Sequence, residues 1–378
     1  KILFSLCKNG RKMKKLIFVL FVIIGCTEND SKNPKGYQTE NVILITLDGV
    51  RWQEIFTGAD QNIINDSIMV KDLAGTRAKF WKSDENERRE TLMPFLWKTI
   101  GKSGQIYGNK RKGSVMRLTN PYLFSYPGYS ELLVGFNDDS VKSNDKILNP
   151  NINVLEFMNE QSGFEKKVAA FGSWDVFDWI LNNERNDFTI NSGGFPLKDS
   201  LLTQKQKWMN EFVSYMPYEG YGLGVRWDAL THEYAMEYLK FRKPRLLYIA
   251  YDETDEYAHQ KKYDRYLKMI NRLDGYIRDT WTWVQSNDMY RNKTTLIVTT
   301  DHGRGDHTDG RWGSHGASVP EAEFVWSAVI GPDTPALGEV THTDTIATNQ
   351  IAATITHLLG YDYKSNRKVG SSIKSMLK

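Results

Sequence analysis

Apolar, β-branched runs recur along the chain at 42–47, 168–171, 246–251, 296–300 and 324–330. Each is continuous rather than alternating, which is the pattern of a strand buried on both faces. Between them lie longer stretches with apolar residues at helical spacing, at 92–102, 129–135, 153–161, 201–214, 228–241, 257–284 and 346–359. Strands alternating with helices predict an α/β fold, a three-layer sandwich with a mostly parallel central sheet. Residues 58–90 are polar and charged and read as an excursion near the first strand. Residues 184–227, rich in Gly, Asn and aromatics, read as a small cap insertion. The chain contains no internal repeat and no low-complexity tract.

The N-terminus changes the picture of composition. Met13 to Cys26, MKKLIFVLFVIIGC, has a basic start, an apolar run and a small residue before a cysteine. The run is too short to span a membrane, which needs roughly 20 residues. Ile23-Ile24-Gly25-Cys26 resembles a bacterial lipobox, in which the cysteine is lipidated and becomes the first mature residue. On this reading residues 1–12 are upstream sequence and 1–26 end in the lipid site. Residues 27–40 form a polar tether, and 41–378 form the domain, exported and anchored to a bacterial membrane at the periplasm or cell surface. Residues 1–25 hold six Lys and Arg and no Asp or Glu, which leaves 43 basic against 46 acidic residues, a net charge of −3. No basic surface then argues for a nucleic-acid polymer. Cys7 and Cys26 are the only cysteines, so a metal in the domain has to be held by His, Asp and Glu.

In open α/β sheets ligands sit beyond the carboxyl ends of the strands. After the run at 42–47 comes Asp48-Gly49. After 246–251 comes DETDEYAH, with Asp255 and His259 four apart. After 296–300 comes Asp301-His302-Gly303, followed by His315 in WGSHG. Singly these have plainer explanations, because Asp-Gly is a common turn and an i, i+4 pair a common surface feature. Together they supply six N/O ligands, enough for two metal ions if one more oxygen is found. Ser125, in SYPGYSELLVG, supplies it: Pro127 suits an early helical position, and a serine at a helix N-terminus meets free N–H groups and a favourable dipole. Without the metal ligands Ser125 would read as a simple cap.

Asp48, Ser125-x-Pro, Asp255-x-x-x-His259, Asp301-His302-Gly303 and His315-Gly316, in that order, resemble the alkaline phosphatase superfamily, most closely its type I phosphodiesterase/nucleotide pyrophosphatase branch. The resemblance runs from about residue 41 to 360. It implies two divalent ions, zinc by preference with Mn²⁺ or Mg²⁺ as alternatives. One would be held by Asp255, His259 and His315, the other by Asp48, Asp301, His302 and the Ser125 oxygen. It further implies a small phosphorylated substrate, a phosphoserine intermediate on Ser125, and an asparagine on the phosphoryl oxygens. Asn144 is the first choice for that asparagine, with Asn149 and Asn151 as alternatives, and the backbone N–H of Tyr126 is expected beside it. The branch typically has threonine where this chain has Ser125, and no counterpart of a phosphate-binding arginine stands out, with Arg111 and Arg117 unplaced.

Several other residues receive plainer readings. Asp306 and His307 stand beside the metal motif as outer partners or loop residues, and Asp252 is an alternative ligand to Asp255. His232, His342 and His357 read as structural. Trp208, Phe212, Tyr215, Tyr218, Tyr221 and Trp227 wall either the substrate cleft or a cap core. A sulfatase would share the fold but calls for arginine where Tyr129 stands. A phosphoglycerate mutase calls for a large inserted domain. From another class, a catalytically idle metal-holding surface module would keep the ligands without turnover.

Overall fold

The computed structural model describes residues 33–215, 224–308 and 310–378. The expected leader, Cys26 and residues 27–32 of the tether lie outside them, as do Tyr218 and Tyr221. Ten strands are described: β1 (Asn41–Leu47), β2 (Gln105–Tyr107), β3 (Met116–Arg117), β4 (Val168–Gly172), β5 (Thr189–Ser192), β6 (Leu246–Tyr251), β7 (Thr294–Thr299), β8 (Ser327–Ile330), β9 (Gly338–Glu339) and β10 (Ile346–Ala347). Eight of them form one sheet in the order β5-β4-β6-β1-β7-β8-β2-β9, and β10 pairs with β3 apart from it. The five strands from β5 to β7 are mutually parallel, and β8 runs against its neighbours β7 and β2. This is a three-layer α/β sandwich.

Alternate residues of the same strand enter different cores. Ile43, Ile45 and Leu47 of β1 join Leu247, Ile249 and Val298 on one face. Val42 and Leu44 join Tyr248 and Ile297 on the other. Helix Tyr263–Ser286 covers the first face through Leu267, Ile270, Leu273 and Ile277, all essentially inaccessible. Helices Ser125–Val134, Val154–Asn159 and Ile351–Leu358 cover the second. Each fully buried Leu or Ile contributes about 1.5–3 kcal/mol, so both faces must be covered, and the runs read as continuous for that reason.

Three details differ from the sequence expectation. The stretch 257–284 is two helices, Glu253–His259 and Tyr263–Ser286, because the chain turns through a left-handed residue at Lys261 (φ 53°). The stretch 324–330 becomes a strand only from Ser327. Within 184–227, Thr189–Ser192 is an edge strand of the main sheet, and helix Gln204–Tyr215 follows it. Among the described residues no helix is long and apolar enough to cross a membrane.

Candidate active site

The register of the parallel strands decides what meets at their carboxyl ends. Leu47 lies beside Tyr251, and Thr46 beside Thr299. Asp48, Asp252 and Asp301 therefore leave the sheet at nearly one level. Gly49 turns there with φ 58°, and a Cβ on it would meet the Arg304 guanidinium at 2.6 Å. Its N–H donates to Asp301 Oδ1 at 3.1 Å. Helix Glu253–His259 starts at the end of β6 and carries Asp255 and His259 on one face.

His302 is the hub. Its Nε2 lies 3.3 Å from Asp48 Oδ1, 3.5 Å from Asp301 Oδ2 and 3.7 Å from Asp255 Oδ1. His259 Nε2 is 3.0 Å from both Asp255 Oδ2 and His315 Nε2. Two groups have metal-holding geometry, Asp48–Asp301–His302 and Asp255–His302–His315. The first coincides with three of the ligands expected for one ion. In the second, His302 stands where His259 was expected, with His259 alongside. Ser125 Oγ is 3.4 Å from His302 Nε2, and Ser125 is the first residue of its helix.

The electrostatics call for a cation. Asp48 Oδ1 and Asp301 Oδ2 are buried and accept no hydrogen bond among the described residues, and Asp255 Oδ1 has the Arg304 guanidinium against it. Burial, then the charge of Asp48, pushes the Asp301 carboxyl up to about 8. Burial would lower His302, but Asp301 and Asp48 carry it up to about 9. Burial and the neighbouring His302 hold His315 well below the ordinary histidine value. Burial and Asp48 also drive Asp252 well above the carboxylate range. Buried acids crowded in this way need protons or a multivalent cation as counter-charge. Carboxylate and imidazole donors with no thiolate fit zinc, manganese or magnesium, and the residues present fit the implied ions.

Asn144 lines the same cavity as Ser125, whereas the alternatives are engaged elsewhere, Asn149 with Ser130 and Asn151 with Asp138. One expectation is corrected. The Tyr126 N–H donates to Asn144 Oδ1 at 3.0 Å, so it is committed to orienting that amide and is not free for a phosphoryl oxygen. The cavity, of about 430 Å³, is walled by Trp174, Val176 and Val225 and bounded by Asp252, Glu256 and Lys146. None of the described aromatics of 205–227 lines it. Arg111 bonds to Glu85, Arg117 is exposed on β3, and neither reaches it. His307 bonds to Asp60 and Asn62 and ties two loops together rather than backing a ligand. His232 packs on Tyr251 and Tyr276, and His357 lies beside Tyr37.

Sequence reasoning missed the groups that brace the ligands. Tyr129 donates to Asp48 Oδ2 at 2.8 Å, and Thr254 to the Asp48 carbonyl at 2.7 Å. Arg304 is wholly buried against Asp255 and donates to the Gly49 and Gly313 carbonyls. Its place directly after Asp301-His302-Gly303 was the available signal, since an arginine inside a metal motif has few reasons to be there.

Comparison with known proteins agrees with this geometry. No curated protein sequence matches the chain significantly. Among solved structures, alkaline phosphatase PafA is similar with a TM-score of 0.60 and 10% identity, over 90% of this chain and 99% of that one. The phosphonate monoester hydrolase of Agrobacterium radiobacter gives 0.55 and 13%, over 89% and 77%. The lipoteichoic acid synthase LtaP from Listeria monocytogenes gives 0.54 and 11%, over 92% and 78%. These likenesses establish an alkaline-phosphatase-like fold. The family model for type I phosphodiesterase / nucleotide pyrophosphatase matches residues 63–322, more than half of the chain. With its fold and this match together, the chain belongs to the type I phosphodiesterase/nucleotide pyrophosphatase family and is a phosphoester hydrolase of the alkaline phosphatase superfamily.

Proposed function

We propose that the chain hydrolyses phosphodiester or pyrophosphate bonds in two displacements through a phosphoserine on Ser125, with two divalent cations, zinc by preference, in the His302-centred cluster. The observation that carries this reading is the pair of buried carboxylate oxygens without hydrogen bonds, Asp48 Oδ1 and Asp301 Oδ2, gathered around His302 beside a serine at a helix N-terminus. Asp48, Asp301 and His302 would hold one cation, and Asp255, His259 and His315 the other. When bound, such ions supply Lewis acidity that lowers a hydroxyl pKa and offsets charge on attacking and leaving oxygens.

Ser125 Oγ bonds to phosphorus as the P–O bond to the leaving group breaks, and the serine proton passes through solvent to the departing oxygen. Water then bonds to phosphorus as the P–Oγ bond breaks, and the serine hydroxyl is restored. Asn144, held through its Oδ1, has its Nδ2 left to donate to an equatorial oxygen of the transition state. The helix of Ser125 adds its N-terminal dipole.

Charge favours a diester over a monoester. Among the described residues Lys146 is the one Lys or Arg lining the cavity, and it is already paired with Asp175 at 2.6 Å, so no basic side chain is left for the second charge of a monoester. Trp174, Val176 and Val225 offer an apolar wall to the second substituent.

Metal analysis together with kinetics on bis(4-nitrophenyl) phosphate and 4-nitrophenyl phosphate tests the reading. Close to two metals per chain and a higher kcat/KM on the diester are expected. Ser125→Ala should keep the metals and lose at least about a thousandfold in turnover. Full activity in that variant removes Ser125 from its role, and bound metal with no turnover of either ester favours the idle binding module. Chelation should abolish activity and lower the melting temperature, and zinc should restore both, because only the folded cluster binds it. Export and anchoring belong to the same proposal: Cys26→Ala should move the chain from the membrane fraction to the soluble one.

A further inference from the structure

A second cavity, of about 760 Å³, lies on the other side of helix Glu253–His259. Asp252, Asp255, Glu256 and His259 face the Ser125 cavity, whereas Glu253 and Tyr257 line this one. Its size is that of a small-molecule site. Its remaining wall comes mainly from the next helix, where Arg265, Lys268 and Arg272 stand on one face at i, i+3 and i+7, joined by Lys71 from before helix Leu73–Phe80. Like charges at that spacing repel.

The acids nearby do not cancel them. Asp72 caps its own helix through Gly75 N, and Glu253 accepts from Asp228 N at 2.8 Å. Among the described residues Asp264 pairs only with Lys268, at 3.8 Å. Lys71, Arg265 and Arg272 form no ion pair among the described residues. Rings accompany the cations. Trp227 is 47% exposed, Arg265 lies over Tyr257 at 5.9 Å from the ring centre, and Tyr276 lines the groove with Arg272. The metal chemistry uses none of these groups. A mature domain with net negative charge has concentrated unpaired cations and aromatic faces in one concavity.

We propose that this groove is a second ligand site, for a ring-bearing oxyanion, with its anionic group on Arg265, Lys268 and Arg272 and its ring against Trp227 and Tyr257. Guanidinium groups bind planar oxyanions in a forked geometry, and aromatic faces take rings or sugars. The proposal does not depend on the reading of the Ser125 cavity.

Calorimetric titration with phenylphosphonate, whose P–C bond resists hydrolysis, and with inorganic phosphate tests it. Wild-type protein should bind phenylphosphonate at this groove, whether or not the Ser125 cavity takes a further equivalent. The double variant Arg265→Ala/Arg272→Ala should lose the groove equivalent, with affinity there falling at least about tenfold, the size of a lost charge-assisted hydrogen bond. Its kcat/KM on bis(4-nitrophenyl) phosphate should stay unchanged, which shows that the chain is folded. Trp227→Ala should weaken phenylphosphonate at this site and leave inorganic phosphate unaffected. No binding in the wild type, or binding that neither variant alters, overturns the proposal.

Discussion

The Tyr129 hydroxyl donates to Asp48 Oδ2 at 2.8 Å, which leaves Asp48 Oδ1 turned to His302 Nε2 at 3.3 Å. Tyr129 lies one helical turn after Ser125, so a single helix carries the nucleophile and the group that aims a metal ligand. The residue that argued against a sulfatase, by standing in place of an arginine, thus has its own task. Tyr129→Phe keeps the ring and removes the donor. Zinc affinity, measured by competition with a chromophoric chelator, should fall about 10–100-fold. An unchanged affinity would show that Asp48 needs no such partner.

Asn144 sits between the Tyr126 N–H and the cavity. Removing its amide takes away a donor useful chiefly in the transition state. Asn144→Ala should lower kcat about a hundredfold with a smaller change in KM. Asn144→Asp, which adds negative charge beside a phosphoryl group, should be worse. A rise in KM alone would make Asn144 a ground-state binding residue.

Gly128 lets the nucleophile helix approach the metal motif. A Cβ there would meet the Asp301 carbonyl oxygen at 2.4 Å. Backbone cannot yield as a side chain does, so Gly128→Ala should cost about 1–3 kcal/mol by overpacking and displace Ser125 from His302. Denaturant melts and diester kinetics should both register the change.

His232 is buried, accepts or donates at Tyr251 Oη across 2.8 Å and stacks on Tyr276. Burial lowers its pKa from 6.5 to about 4. The folded chain therefore binds fewer protons than the unfolded chain between pH 6.5 and 4. Its contribution is complete above pH 6.5 and is lost as pH falls towards 4, amounting to about 3 kcal/mol. Denaturant unfolding at a series of pH values should show this slope, and His232→Gln should flatten it. An unaltered slope in the variant would assign the acid sensitivity to the carboxylate cluster instead.

How much of this could be read in advance varies from residue to residue. The strands β1, β4, β6 and β7 announce themselves because burial on two faces leaves no polar alternation to confuse the signal. β5 and β9 do not, because TINS and GE are short and only partly covered, and β2 is only three residues long. The ligand types and their positions after strand ends were visible for a similar reason, since a charged residue is conspicuous directly after an apolar run. Trp174, Val225 and Lys146 carried no such contrast. Nothing local distinguishes a cavity wall from an ordinary loop.

The sequence by itself determined the layers, the parallel sheet and the order in which acid and imidazole groups arrive at its carboxyl end, because periodicity and composition are local properties of a chain. Only the tertiary structure decided that His302 would stand between both ligand groups, that Tyr126 would spend its N–H on Asn144, and that helix Glu253–His259 would divide an acidic cavity from a basic one. Those outcomes depend on strand register and helix placement to within an ångström or two. Such distances arise from packing contacts between residues hundreds of positions apart, which no local pattern encodes.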